Sequence, residues 1–146
     1  MEAVLLIGLQ GAGKTSFYQQ KFTQTHVRIS LDALKTRARE MALLMSCLTQ
    51  KKSFVVDNTN ATIAARQRYL QPAKEAGYTV MAYYFEVPIA DCLKRNQGRS
   101  GKERLPPAAL FGTRKRMQKP SMEEGFDELF SVQLDTERGF VVRPLQ

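Results

Sequence analysis

Short apolar runs alternate with longer amphipathic stretches along this chain. Ala3 to Gly8 is an apolar run of strand length, Lys14 to Phe22 reads as a helix, and Val27, Ile29 and Leu31 alternate as a second strand. From Asp32 onward Leu34, Ala38, Met41, Met45 and Leu48 recur at helical spacing, which predicts one long amphipathic helix with Asp32 as N-cap and Cys47 in the core. Phe54 to Val56 is a third strand. Ile63 to Ala76 is a helix ended by Gly77, with Pro72 marking a kink or early break. Thr79 to Phe85 is a fourth strand, and Pro88 opens a helix to about Asn96. Gly98 to Pro107 is a polar, basic loop, followed by a short helix to about Met117. Leu129 to Leu134 and Phe140 to Val142 are closing strands joined by a turn at Thr136 to Gly139. Strands separated by helices predict an α/β layered domain on a mainly parallel sheet. No repeat, low-complexity tract or linker divides the chain, so residues 1–146 are expected to form one domain.

Composition narrows the class. The chain is 43% hydrophobic and 25% charged, ordinary for a folded protein. The apolar start from Ala3 to Ile7 is too short to span a bilayer and has no basic leader before it. The expectation is an intracellular, cytoplasmic protein without membrane association, its two cysteines, Cys47 and Cys92, being reduced thiols. Charge adds a locality. The net charge is +8, and nine of the 22 Lys and Arg lie between Lys94 and Lys119 with a single acid, Glu103. The rest of the chain holds 13 basic and 13 acidic residues and is neutral, so the surplus belongs to one segment.

Gly8-Leu9-Gln10-Gly11-Ala12-Gly13-Lys14-Thr15 fits the phosphate-loop pattern G-x-x-x-x-G-K-[ST], with a strand before it and a helix after. The glycines let backbone amides close around an anion, and the following helix adds the positive end of its dipole. Lys14 supplies a mobile charge for the outer phosphates, and the Thr15 hydroxyl is a ligand for Mg²⁺. The expected nucleotide-binding set is Gly8, Gly11, Ala12, Gly13, Lys14, Thr15 and Ser16, with ATP as nucleotide. Asp57, at the end of an apolar strand, is the second expected Mg²⁺ ligand beside Thr15; a turn or helix cap is its bland alternative.

The neighbouring residues choose among phosphate-loop chemistries. No Asn-Lys-x-Asp segment exists to read guanine, and Asn58 after Asp57 supplies no catalytic Glu for a mechanical ATPase. Phosphoryl transfer to a second substrate remains, which needs a base for the acceptor and cations over the moving group. Asp32, closing the second strand on the edge that carries the phosphate loop, is the candidate base; helix capping is equally compatible with its position. Arg95 and Arg99 are spaced i, i+4 at a helix end and suit a lid over the phosphates at about residues 98–107, with Lys102 and Arg104 extending it. The alternative there is a solvated basic loop. Arg114, Lys115 and Arg116 on the next helix are candidates for steering an acceptor strand or form a solvated face. Tyr83 and Tyr84 are expected in the sheet and core, and Phe111 is given no role. The fold expected is a P-loop NTPase-type three-layer domain with a basic lid.

The phosphate loop, the segment Val55-Val56-Asp57-Asn58-Thr59-Asn60, Arg66, and the lid segment Leu93 to Arg99 resemble the kinase domain of polynucleotide 5′-hydroxyl kinases. The likeness is greatest to the kinase half of the bifunctional polynucleotide kinase/phosphatases. Lys119 to Phe126 resembles the region after the lid helix there. The resemblance runs over about residues 3 to 134. It implies Asp32 as base, Lys14 and Thr15 on ATP·Mg²⁺, Arg95 and Arg99 as lid arginines, and a 5′-OH DNA or RNA acceptor. It also implies substrate contacts by Asn58, Thr59, Arg66 and Lys35. Lys35 stands where the family has an arginine, with Arg37 and Arg39 nearby, and it supplies charge without a bidentate fork. No Asp-x-Asp-x-Thr segment is present, so phosphatase activity is not expected of this chain. Two other readings stay open: a small-molecule or toxin-like kinase, and a nucleotide-gated nucleic-acid binding module with little turnover.

Overall fold

Ala3 to Ile7 are all completely buried, because their strand, β1 (Glu2–Ile7), runs through the middle of a sheet covered on both faces. The computed structural model describes residues 1–145. The other strands are β2 (Val27–Ile29), β3 (Phe54–Asp57), β4 (Thr79–Phe85), β5 (Glu128–Asp135) and β6 (Gly139–Pro144). Their spatial order is β2-β3-β1-β4-β5-β6, parallel throughout except for the terminal antiparallel pair β5 and β6.

Alternation along β1 assigns the two layers. Ala3, Leu5 and Ile7 face a core shared with α3 (Arg37–Gln50) and α4 (Ile63–Glu75), through Leu44, Cys47, Tyr69 and Leu70. Val4 and Leu6 face the opposite core, built with Phe17 and Tyr18 of α1 (Lys14–Lys21), Cys92 of α5 (Ile89–Gln97) and Leu110 of α6 (Pro107–Arg116). Continuous apolar strands buried on both sides are what parallel α/β sheets require. Tyr83 lies in this aromatic layer between Phe17 and Phe130, at ring separations of 5.1 and 5.0 Å.

Three features depart from the sequence pattern. The second strand stops at Ile29, and the single long helix is two. Ser30 caps a short helix, α2 (Leu31–Leu34), through its side chain and the Ala33 N–H, so Asp32 sits in the first turn and is not the N-cap. Lys35 then takes a positive φ of 77°, and Thr36 starts α3 afresh by accepting from the Arg39 N–H. That restart rotates the helix. Its buried face is Glu40, Leu44, Cys47 and Leu48, and Met45, placed on the apolar stripe by periodicity, is 57% exposed. Pro72 does not end α4, which continues to Glu75. It stands in the last turn, and Leu70 and Ala73 bury the helix against the sheet on either side of it.

Candidate active site

Parallel strands put their carboxyl ends on one edge, where β1, β2 and β3 deliver the phosphate loop, Asp32 and Asp57 together. Within the loop Gly11 and Gly13 have φ of 81° and 98°. A Cβ on Gly11 would stand 2.7 Å from the Cys92 carbonyl oxygen, and one on Gly13 would stand 2.9 Å from Arg95 Nη1. Both positions therefore favour glycine by conformation, and Gly11 also by space, since its neighbour is backbone. Lys14 Nζ donates to the carbonyls of Gly8 and Leu9, each at 2.8 Å. Burial pulls its pKa down to about 8, with Arg99 adding to the fall and Asp57 and Asp32 opposing it.

The four residues from Asp57 to Asn60 each hold a different part of this edge. Asp57 Oδ2 accepts from Thr15 Oγ1 at 2.8 Å. Asn58 Oδ1 accepts from the Leu31 N–H at 2.9 Å, while its Nδ2 donates to Glu40 at 2.7 Å and to the Tyr69 hydroxyl at 3.1 Å. The Thr59 carbonyl accepts from the Gly8 N–H at 3.0 Å, and Asn60 Nδ2 donates to the Leu6 carbonyl at 2.7 Å. Glu40 is completely buried and is shared by Arg37, Asn58 and Tyr69, so its charge is compensated and fully bonded. The network ties α2, and with it Asp32, to the end of β3.

Two clefts open along the edge. One, about 510 Å³, is lined by the phosphate loop, Arg28, Asp57, Arg95, Arg99 and, from the terminal hairpin, Phe140. The other, about 450 Å³, lies between α3, α4 and α6 and is lined by Arg37, Arg68 and Arg116. They share Gln10, Asp32, Asn58, Thr59 and Leu105, so Asp32 stands at their junction. It is the one acidic residue among those lining the second cleft. Gln10 Oε1 is buried at the same junction without a hydrogen-bond partner among the described residues, its Nε2 being taken by Thr113.

The loop after α5 is closed by Asn96, which donates to the Leu105 carbonyl at 2.7 Å and accepts the Leu105 N–H at 2.9 Å. Arg95 and Arg99 both face the nucleotide cleft. Arg104 does not; it bonds back to the carbonyls of Gln97 and Arg99 and stiffens the loop. Lys102 is exposed outside both clefts.

Thr15 Oγ1 and Asp57 Oδ2 are hard oxygens beside the phosphate loop. This is a donor set that suits Mg²⁺, which takes few protein oxygens and completes its shell with water and phosphate. Among the described residues no group of three or more His, Cys, Asp or Glu stands ready to hold a metal unaided.

Three expected substrate contacts are corrected. Arg66 is 0% exposed and spends its guanidinium on the carbonyls of Asn60, Ala61 and Gln118 and on Glu124 Oε2, the last at 2.8 Å. It fastens α4 to the segment after α6 and, fully buried, lines neither cleft. Asn58 lines both clefts, but its amide is consumed in positioning α2. Lys35 is exposed at the break between α2 and α3 and lines neither cleft; Arg37, two residues on, lines the second. Nor do Arg114, Lys115 and Arg116 act as one patch. Arg116 faces the second cleft, whereas Arg114 stacks over Phe111 at 5.5 Å and lines a separate groove.

Arg28, Arg68, Gln10 and Phe140 line the clefts without having been read from the sequence. An arginine between Val27 and Ile29 in a three-residue strand was the one available signal for Arg28. The arginines of the second cleft come from three helices, and only their packing brings them together.

Residues 4–120 match the profile of the AAA domain family. The chain is 30% identical over 144 residues to the bifunctional polynucleotide phosphatase/kinase of Schizosaccharomyces pombe, an alignment covering 90% of this chain and 33% of that protein. The chain thus spans about a third of the length of the curated relatives it matches. Among solved structures it is similar to Chaetomium thermophilum Kti12 in complex with ADP-AlF3, with a TM-score of 0.70, 15% identity, and coverage of 93% of this chain and 91% of that one. It is also similar to a gluconokinase from Sinorhizobium meliloti, with a TM-score of 0.63, 16% identity, and coverage of 90% and 82%. The three-layer sheet is thus that of the P-loop kinases. Among the described residues no helix is long and apolar enough to cross a membrane.

Proposed function

The chain belongs to the AAA domain family, and from that premise we propose that it transfers the γ-phosphoryl group of ATP to the 5′-hydroxyl end of a nucleic acid. One observation carries the reading. A cleft lined by Arg37, Arg68 and Arg116 meets the phosphate loop at Asp32 and has no other acid in its wall. Arg37 is paired with Glu40, but Arg68 and Arg116 carry charge that suits a chain of phosphates, and a neutral sugar or nucleoside has no use for it. The similarity to the fission yeast phosphatase/kinase supports the same acceptor.

The residues divide the chemistry as follows. The loop amides and Lys14 hold the outer phosphates of ATP, and Arg95 and Arg99 stand over them to follow charge as it moves toward the leaving oxygen. Thr15 and Asp57 would hold Mg²⁺, which offsets charge on the phosphate oxygens when bound. The acceptor hydroxyl, seated at the cleft junction, gives its proton to the Asp32 carboxylate as its oxygen attacks the γ-phosphorus. The bond to the β-phosphate oxygen breaks, leaving ADP and a 5′-phosphorylated strand.

The test is an acceptor comparison with γ-labelled ATP: a 5′-OH DNA oligonucleotide, a 5′-OH RNA oligonucleotide, a nucleoside and gluconate. Label is expected on oligonucleotide. Efficient labelling of nucleoside or gluconate with none on either oligonucleotide refutes the proposal.

A further inference from the structure

Arg28 lies on the oxygens that face the phosphate cleft. Its Nε and Nη2 reach Asp57 Oδ2 at 2.9 and 2.8 Å, and Nη2 also donates to Thr15 Oγ1 at 3.3 Å. The Asp57 side chain is 3% exposed, so this guanidinium is the counter-charge its carboxylate needs. Arg28 comes from β2, the edge strand of the sheet, and is itself 32% exposed, with open cleft on its outer side.

We infer that Arg28 is a resident counter-ion which keeps free divalent cations off the Thr15–Asp57 pair and yields the pair only when nucleotide phosphates arrive. The inference rests on that pair being the metal-facing one in the proposed reaction. A guanidinium and a divalent cation compete for one carboxylate oxygen, because each needs its lone pairs and the two cations repel. An incoming triphosphate changes the balance. Its anionic oxygens would give Arg28 other bidentate partners, leaving the Asp57 carboxylate free to hold a cation bound with them. The metal therefore enters with the nucleotide and not before it. Lys14, Arg95 and Arg99, which line the same cleft, make prior entry of a bare cation less favourable still.

The experiment reads metal binding directly. The nucleotide-free protein is titrated with Mn²⁺ and free ion is followed by electron paramagnetic resonance, for wild type, Arg28→Gln and Arg28→Met. The two uncharged variants are each measured alone and with Asp57→Asn, and folding is checked by thermal melting. Removing the positive charge is expected to tighten Mn²⁺ binding by about tenfold or more, and Asp57→Asn to abolish the gain. Arg28→Met guards against a folding defect peculiar to the amide. Equal Mn²⁺ affinity in wild type and in the folded uncharged variants overturns the inference. Binding of Mn²⁺·ATP that is indifferent to Asp57→Asn overturns instead the assignment of the metal-facing pair, so the two failures are distinguishable.

Discussion

The side chain of Asn58, one residue beyond β3, accepts the backbone N–H of Leu31 at 2.9 Å, and Leu31 is the residue before Asp32. The proposed base is thus located by a bond from the strand that carries Asp57. The same amide is anchored by Glu40 and Tyr69, so the position of α2 is built into the core and does not depend on a flexible turn.

Asn58→Ala removes that tether and leaves Glu40 and the Leu31 N–H each short of a partner. The variant is expected to lose about 1–3 kcal/mol of stability. Its kcat should fall by about tenfold or more, with little change in the KM for ATP, since the phosphate loop is untouched. A folded Asn58→Ala protein with unaltered kcat contradicts the positioning role.

The arginine cleft makes a salt-dependent prediction. Arg68→Ala and Arg116→Ala should each weaken oligonucleotide binding and lower the slope of log affinity against log salt by about one, while leaving ATP affinity alone. Arg114→Ala is the contrast. Its side chain lies over Phe111 outside the cleft, so the slope should hold. Equal effects at Arg114 and Arg116 would place the acceptor path elsewhere.

Lys14 gives a pH dependence. Its pKa of about 8 means the ammonium is charged below that pH and loses its proton above it. Bound phosphate favours the charged form, so binding above about pH 8 must take up a proton. ATP affinity should therefore be level below pH 8 and decline as pH rises through it. Calorimetry in buffers of different ionisation enthalpy measures the uptake, and no proton uptake at pH 8.5 would contradict it.

Arg66 separates a structural from a substrate role. Arg66→Met strands Glu124 without its ion-pair partner in the interior and should cost about 3–5 kcal/mol, part of it recovered by adding Glu124→Leu. A substrate contact would instead raise the KM for the acceptor and leave the melting temperature unchanged.

Much of this was legible along the chain because local rules and tertiary context agree there. The phosphate loop, the carboxylate ending β3, the placing of Arg95 and Arg99 on one cleft and the alternation of strands and helices all follow from short-range chemistry. The helix after β2 was not legible in the same way. Leu34, Ala38, Met41, Met45 and Leu48 make an unbroken stripe, yet Ser30 and Thr36 each cap a helix start, and the second start turns a different face inward. Glu40 was hidden for the same reason, since a carboxylate becomes a core residue only when Arg37, Asn58 and Tyr69 surround it. Arg66 shows the opposite hazard. Its presence in a resembling segment is real, but whether a guanidinium meets substrate or backbone carbonyls depends on residues 52 and 58 positions away, Gln118 and Glu124. The second cleft lay out of reach because its arginines share no sequence interval.

The junction of the two clefts at Asp32 is tested most directly by single-turnover transfer from γ-labelled ATP to a 5′-OH oligonucleotide, by wild type and Asp32→Asn, with ATP and oligonucleotide affinities measured in parallel. Labelled 5′-phosphate is expected from the wild type, with a rate in Asp32→Asn lower by about 10²-fold or more and both affinities preserved. Transfer at the wild-type rate by Asp32→Asn would contradict the assignment of the base and of the junction as the place of reaction.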